Sequence, residues 1–264
     1  MKHKLAIVCL SAIPFISFAE EKAEEKPPLT GSVELGFLYK TGNTHSADMK
    51  TGFDLRYEKD KWLSIFNADL LVKKAELTSA ESGDDEFETT DQKWSVASQT
   101  NYTFNEANKD YAYVAVWYED NKFNSFKNQS SISGGWGRQW YKTKTTSFWA
   151  DVGPGYKRDV FKATYNDDGT ILQDERTEGA FIAQAQALYI HNINEHVEFK
   201  QYLSAKYAFE SGKNSVYKAE STLTTKLIST LQLRLTFTVD YNTEVEQGTE
   251  NTDTQTAATL VYSF

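Results

Sequence analysis

The sequence predicts an all-β protein, a transmembrane antiparallel β-barrel of about 12 strands with short periplasmic turns and longer extracellular loops. Apolar and polar residues alternate in one segment after another, which is the period of a β-strand. The connections between these segments are alternately short and long. The mean hydropathy is −0.57 although 14% of the residues are aromatic. Apolar surface is therefore abundant but interleaved with polar groups, which excludes both an α-helical membrane protein and a disordered chain.

The N-terminal segment is expected to be removed from the mature protein. Lys2 and Lys4 precede an apolar run over residues 5–16, and Ser17-Phe18-Ala19 has the small residues that a signal peptidase recognises. We expect a signal peptide at residues 1–19, a periplasmic linker at 20–29 and the barrel at 30–264. Cleavage would remove Cys9, the only cysteine, and change the net charge from −9 to −11. Such acidity argues against a nucleic acid partner.

The strands follow from the alternation. Val33, Leu35 and Phe37 are apolar at every second position, and residues 49–57 repeat the pattern. This spacing places the two sets on opposite faces of a strand. Further strands are expected near residues 61–74, 92–104, 111–119, 129–141, 146–157, 179–190, 196–210, 215–227, 231–241 and 254–264. Most have about the 9–11 residues that a tilted strand needs to cross a bilayer.

The lengths of the connections alternate along the chain. Short connections are expected at residues 59–60, 105–110, 142–145, 191–195 and 228–230. Longer polar ones are expected at residues 75–91, 120–128, 158–178 and 242–253. Only the tight connections at 42–45 and 211–214 depart from this pattern. Short turns at one end and long loops at the other are typical of an outer-membrane barrel.

The two faces of the predicted strands differ in chemistry. One face is apolar, with Phe66, Phe181 and Leu235 among its members, and is expected to contact lipid. The other face carries charges of both signs and is expected to line the lumen. Its lining residues are Glu34, Lys50, Asp54, Arg56, Asp69, Lys73, Glu198, Lys200 and Arg234. A soluble barrel that binds an apolar ligand would have the opposite polarity, and this alternative stays open because alternation does not say which face points inward.

The C-terminal strand carries a further signal. Leu260, Tyr262 and Phe264 alternate up to an aromatic residue at the C-terminus. A terminal strand with this ending resembles the signal that the barrel-assembly machinery captures by strand addition. We therefore expect Tyr262 and Phe264 to act as an assembly signal. The expected partners are this machinery, outer-membrane lipid and lipopolysaccharide, and the expected location is the outer membrane of a Gram-negative cell, reached by the general secretory route.

The segment 31–43 also carries a family resemblance. Its pattern Gly-Ser-Val-Glu-Leu-Gly followed by Lys-Thr-Gly-Asn resembles the opening of the YdiY-like family of salt-induced outer-membrane proteins, a domain of unknown function. The alternation through Tyr57 and the closing Phe264 fit the same family. The resemblance implies an outer-membrane β-barrel with a link to salt or envelope stress. It brings no catalytic or binding residues.

The chain offers little catalytic chemistry. His191 and His196 flank a short turn, and His45 is followed by Ser46, whose side chain would point to the opposite face of a strand. No phosphate-binding loop or paired-cysteine metal motif is present. We expect no enzyme activity and no cofactor.

Two acidic segments are weak candidates for cation binding. Asn166, Asp168 and Glu175 have spacings similar to those of a calcium-binding loop, but position one is Thr164 and the flanking segments are strands. The region 81–91 is also crowded with acidic side chains. Divalent cations would relieve their repulsion from an anionic lipid surface. The simpler interpretation of both segments is solvated surface loops.

Three functional hypotheses remain open from the sequence. The first is a non-enzymatic envelope barrel whose lumen is filled by ion pairs. The second is a narrow channel or substrate-specific pore in which the same charges form the lining. The third is a soluble periplasmic barrel that binds an apolar ligand.

Overall fold

The computed structural model describes residues 27–264, with gaps at residues 41–45, 79–84, 108, 167–168 and 247–248. The predicted signal peptide and most of the predicted linker lie outside the described residues. Only the backbone is described for residues 38–40, 46–47, 75–78 and 85–88. Within the described part of the chain, no helix is long and apolar enough to span a membrane.

The strands account for most of the described chain. They are β1 (Leu29–Lys40), β2 (Ser46–Lys59), β3 (Trp62–Thr78), β4 (Asp85–Asn105), β5 (Asp110–Asn121), β6 (Phe126–Lys142), β7 (Thr146–Phe161), β8 (Thr164–Tyr165), β9 (Ile171–Gln173), β10 (Arg176–Asn192), β11 (Val197–Ala208), β12 (Val216–Lys226), β13 (Leu231–Asn242) and β14 (Thr252–Ser263). Twelve of them form one closed barrel, in the order β1-β14-β13-β12-β11-β10-β7-β6-β5-β4-β3-β2, and β8 and β9 form a separate hairpin. Every pairing is antiparallel. The predicted 12-strand barrel is therefore confirmed.

The barrel has two different ends. The turn rim carries both ends of the barrel chain and the short connections at residues 60–61, 106–109, 143–145, 193–196 and 227–230. Asp60 and Lys109 adopt positive φ angles of 53° there, which is how tight turns reverse the chain. The loop rim carries the remaining connections at residues 41–45, 79–84, 122–125, 162–175, 209–215 and 243–251.

Two predicted loops are wrong in extent. The predicted loop 75–91 is largely strand, because β3 continues to Thr78 and pairs there with Asp85 of β4. The predicted loop 158–178 contains the hairpin β8–β9, and β10 begins at Arg176. Hydrogen bonds of an antiparallel ladder join backbone groups, so polar side chains do not end the pairing where the sequence pattern suggests.

The faces of the strands follow the predicted alternation. The outward side chains of Phe66, Phe181 and Leu235 are 37%, 65% and 46% exposed. The inward carboxylate Glu34 is only 4% exposed. The apolar set therefore surrounds the barrel and the charged set fills it.

One junction differs from the others. β1 and β14 close the barrel through only four register pairs, from Ser32↔Ser263 to Leu35↔Leu260. Two backbone hydrogen bonds of 3.0 Å between Gly31 and Phe264 extend this pairing toward the turn rim. Toward the loop rim, no further register pair joins the two strands in the described chain. We call this junction the seam.

Candidate functional site

A cavity of about 440 Å³ occupies the lumen and is lined by inward residues from most of the barrel strands. Near the turn rim its wall is partly apolar. The apolar side chains there are Leu63, Ile65, Trp149, Leu188 and Ile190. Toward the loop rim the wall becomes polar and charged. This mixed lining, rather than a surface cleft, is the candidate functional site of the molecule.

Glu34 organises the first cluster of the lumen, beside the seam. Its carboxylate accepts hydrogen bonds from Arg234 on β13 at 2.8 Å and from the Thr259 hydroxyl on β14 at 3.3 Å. It also pairs with Lys50 on β2 at 2.8 Å. Arg234 lies 3.6 Å from Asp54 as well. One β1 carboxylate thus connects side chains on both sides of the seam.

A second cluster crosses the lumen. The Lys93 ammonium on β4 lies 3.1 Å from Asp240 on β13 and 3.3 Å from Glu119 on β5. Lys218 on β12 lies 3.7 Å from the same Asp240. β4 and β13 are far apart in the barrel, with four strands between them on the shorter way round. The contact between Lys93 and Asp240 therefore spans the lumen instead of following its wall.

A third cluster surrounds Asp151 of β7. This carboxylate accepts hydrogen bonds from Gln99 at 3.1 Å, Tyr111 at 3.2 Å and Gln186 at 3.3 Å. The Gln186 amide also donates to Gln99 at 3.1 Å, and the Tyr202 hydroxyl donates to Gln186. No lysine or arginine pairs with Asp151 among the described residues. Its charge is instead stabilised by neutral donors from three strands.

A layer of polar side chains crosses the lumen near the loop rim. Its members, Gln129, Asp159, Asn214 and Asn242, are each no more than 4% exposed, and we call them the loop-rim layer. Gln129 donates to Asp159 at 3.1 Å and to Asn242 at 3.4 Å, and Asn214 donates to Asn242 at 2.9 Å. Gln129 on β6 and Asn242 on β13 are again separated by four strands. The layer therefore spans the lumen.

The segment that follows β13 folds inward above this layer. The backbone N–H of Glu246 donates to the Ser125 hydroxyl at 3.1 Å, and the Glu246 carboxylate pairs with Arg176. The Arg176 guanidinium lies 3.9 Å from the ring centre of Phe161. Nearby, the Lys162 ammonium donates to the Asn124 carbonyl at 2.6 Å, and burial lowers the pKa of Lys162. Residues of three different connections thus contact one another at the loop-rim mouth.

The predicted lining residues occupy different places. Glu34, Lys50, Asp54, Arg56, Asp69, Lys200 and Arg234 line the central cavity. Lys73 lies over the ring of Phe123, 4.8 Å from its centre. Glu198 lines a smaller cavity of about 150 Å³ at the turn rim, together with His196. The structure thus gathers seven of the nine around one cavity.

The other predicted sites are not brought together. Asp168 lies outside the described residues, the Asn166 amide donates to the Thr170 hydroxyl at 2.9 Å, and Glu175 pairs with Lys127 at 2.7 Å. No group of three or more metal-binding side chains converges in the described part of the chain. The Nδ1 atom of His191 lies 2.8 Å from the Thr146 hydroxyl. Glu81 and Asp84 of the acidic region lie outside the described residues, so the cation hypothesis remains a prediction.

The predicted assembly residues lie at the turn-rim end of the seam. Tyr262 and Phe264 are 52% and 56% exposed, and their ring centres are 6.4 Å apart. A Cβ atom on Gly31 would come within 2.7 Å of the Phe264 ring. Glycine at position 31 therefore lets the terminal aromatic ring lie against β1.

Several lumen residues were missed by the sequence analysis. Lys93 makes the contact across the lumen with Asp240, and Glu119, Gln184 and Trp117 line the same cavity. The period of two could have found them, since Lys93, Gln99 and Asn101 alternate with outward apolar residues on β4. Their partners could not be found in this way, because alternation assigns a face but not a position around the barrel.

Comparisons with known proteins were made on sequence and on structure. The model of a family described as "Protein of unknown function, DUF481" matches residues 33–264. The chain is 25% identical over 247 residues to the "Uncharacterized protein YdiY" of Escherichia coli (strain K12), which covers 93% of this chain and 87% of that protein. This confirms the resemblance to the YdiY-like family that residues 31–43 predicted.

Among solved structures, the chain is similar to the COG4313 outer membrane channel from Pseudomonas putida F1, with 12% identity and a TM-score of 0.48 over 94% of this chain and 100% of that one. It is also similar to the translocator domain of the autotransporter NalP from Neisseria meningitidis, with 8% identity and a TM-score of 0.46 over 92% and 90% of the two chains. Because the family model covers most of its length, this chain belongs to the DUF481 family of proteins of unknown function.

Proposed function

We propose that this protein is a non-enzymatic β-barrel of the bacterial outer membrane whose lumen is held closed by its own side chains. The observation that carries the proposal is the pair of contacts that cross the lumen, Lys93 with Asp240 and Gln129 with Asn242. Both join strands on opposite parts of the barrel wall. A permanently open pore would leave these groups facing water on separate walls.

The polarity of the wall supports a membrane location. Large apolar side chains such as Phe181 and Leu203 point outward and are exposed, whereas charged ones such as Lys157 and Asp159 are buried inside. A soluble barrel that binds an apolar ligand has the opposite arrangement, so this hypothesis is disfavoured. We expect the protein in the outer-membrane fraction, in contact with lipid and lipopolysaccharide, after export and insertion by the barrel-assembly machinery.

Planar bilayer recordings test the closed lumen. We expect the wild-type protein to show no steady conductance. Removing two amides of the loop-rim layer with Gln129→Ala/Asn242→Ala should produce open events, because the contact between opposite walls is lost. The control Asn166→Ala/Asn194→Ala removes two exposed amides, one beside β8 and one at the turn rim, and should stay silent. Steady porin-like conductance of the wild type would contradict the proposal.

A second candidate function is a narrow, substrate-specific pore, and the cavity of about 440 Å³ favours it. A gated pore needs space for a solute between its constrictions. Uptake of solutes by liposomes that contain the protein tests this candidate. Uptake of one class of small solute, with ion conductance at the background level, would support it against the permanently closed barrel.

The link to salt or envelope stress rests on the family resemblance. Its test is growth of a deletion strain at raised sodium chloride, complemented by the wild-type gene. If the deletion strain grows as well as its parent at every salt concentration, this part of the proposal is wrong.

A further inference from the structure

The cavity contains a buried cation without an acidic partner. Lys206 of β11 is 8% exposed, and its ammonium lies 3.4 Å from the ring centre of Trp117 on β5. It forms no ion pair among the described residues. The carboxylates of Glu119 and Asp159 stabilise its charge electrostatically, but each is paired with another lysine. Glu119 lies 3.3 Å from Lys93, and Asp159 pairs with Lys157.

Two neutral donors lie on the same part of the lumen wall as Lys206 and Trp117. Gln184 is directly opposite Lys206 in the β10–β11 register, and Ser131 is directly opposite Trp117 in the β5–β6 register. Residues opposite each other on antiparallel strands project to the same face. Gln184 and Ser131 are 4% and 9% exposed, and neither side chain makes a hydrogen bond within the described structure. Both line the same cavity as Lys206 and Trp117.

Donors that border a cavity and make no hydrogen bond to the protein are available to a ligand there, and a charge removed from bulk water is the most costly group to leave without a partner. An ammonium, an amide and a hydroxyl that face one cavity can all donate hydrogen bonds to the same acceptor. A carboxylate fits this set because it accepts several hydrogen bonds and neutralises the ammonium. The Trp117 ring lies against the ammonium and holds it at the cavity wall by a cation–π contact.

We propose that the lumen holds a binding site for a small organic carboxylate, formed by Lys206, Gln184, Ser131 and Trp117. The site lies inside the cavity and does not depend on whether the barrel conducts. It therefore goes beyond the closed-barrel function, and binding measured in detergent can succeed or fail independently of any bilayer recording.

Iodide quenching of tryptophan fluorescence tests the anion site in the full-length protein. Of the 6 tryptophans, only Trp117 and Trp149 line the cavity. We expect iodide to quench a saturable component of the wild-type emission at constant ionic strength, and Trp117→Phe to remove that component. Lys206→Met should weaken iodide binding about tenfold, the effect of losing one hydrogen bond to a charged group.

Lys200→Met is the matched control, because it removes the same charge from the same face of β11 near the turn rim. The saturable component should persist in this variant. If Lys206→Met and Lys200→Met weaken it equally, the effect is general electrostatics and the site is wrong. An absence of saturable quenching in the folded wild-type protein would also overturn it.

Sodium acetate tests the ligand class. We expect acetate to relieve iodide quenching in the wild type at constant ionic strength. Gln184→Leu keeps the ammonium, so iodide should still bind. Acetate should compete about threefold more weakly, which is the effect of losing one hydrogen bond from a neutral donor. Heat-modifiable migration on gels verifies that each variant is folded. If acetate does not compete with iodide, the carboxylate assignment is wrong.

Discussion

The seam differs from the other junctions of the barrel wall in the length of its backbone ladder. β1 pairs with β2 along its whole length, from Leu29↔Tyr57 to Lys40↔Ser46, but with β14 through only four register pairs. β14 likewise pairs with β13 from Tyr262 to Thr252. Each strand of the seam thus has one complete edge and one partial edge. The other junctions combine a long ladder with side-chain contacts, such as Lys93 with Glu119 and Gln129 with Asp159, whereas at the seam side chains supplement a short ladder.

The outward face of β14 differs from its neighbour in the same region. Thr252, Thr254 and Thr256 point outward where β13 carries Tyr241, Val239 and Phe237 directly opposite. A strand edge without a partner in hydrocarbon leaves backbone polar groups unsatisfied. Hydroxyl-bearing side chains beside such an edge make it less apolar. The loop-rim half of the seam thus combines a shorter ladder with a less apolar outward face.

The largest expected effect comes from removing the carboxylate that joins the two sides of the seam. Glu34→Gln leaves Lys50 and Arg234 without their shared partner, and breaking a buried pair costs about 3 kcal/mol or more. We expect the free energy of unfolding in detergent to fall by that amount. The control Glu58→Gln changes an exposed pair with Arg56 and should cost less than about 1 kcal/mol. Equal losses in the two variants would show that Glu34 has no special role in closure.

Cysteine cross-linking sharpens the comparison between the two halves of the seam. In a Cys9→Ser background, Leu35→Cys/Leu260→Cys joins positions that are in register and should form a disulfide readily. Tyr39→Cys/Thr256→Cys would be in register only if the pairing continued to the loop rim. We expect little disulfide there, because bridging needs Cα atoms within about 7 Å. The fraction cross-linked is measured on non-reducing gels, and equally efficient bridging would mean that the seam is fully paired.

The smallest effect on stability is expected at the turn-rim end of the seam. Phe264→Ala removes a ring that is 56% exposed and should lower the free energy of unfolding by about 1 kcal/mol or less. Its effect on biogenesis should be larger, because the terminal aromatic is the predicted assembly signal. The control Phe104→Ala removes a ring of similar exposure, 53%, from β4. If both variants reach the outer membrane equally well, the assembly role of Phe264 is wrong.

Much of the architecture follows from local patterns. The period of two gives the number of barrel strands and separates Phe66 and Leu235 from Glu34 and Lys50 on opposite faces. The structure then shows that the first pair points outward and the second inward. The ends of the strands at the loop rim could not be predicted. β3 and β4 continue through polar residues because their pairing depends on backbone geometry. The hairpin β8–β9 could not be predicted for the same reason.

The contacts inside the lumen could not be predicted from the sequence either. Lys93 and Asp240 are 147 positions apart, and Lys206 and Trp117 lie on strands separated by three others in the barrel. Both pairs meet only because the sheet closes into a narrow barrel with one particular register.

The sequence by itself determined that this chain forms alternating strands with one apolar and one charged face, because side-chain direction in a strand depends only on position parity. The tertiary structure alone decided which face points outward, which interior charges form ion pairs, and where the ladder that closes the wall is short. Those outcomes depend on strand order, register and curvature, and residues far apart in the chain fix them together.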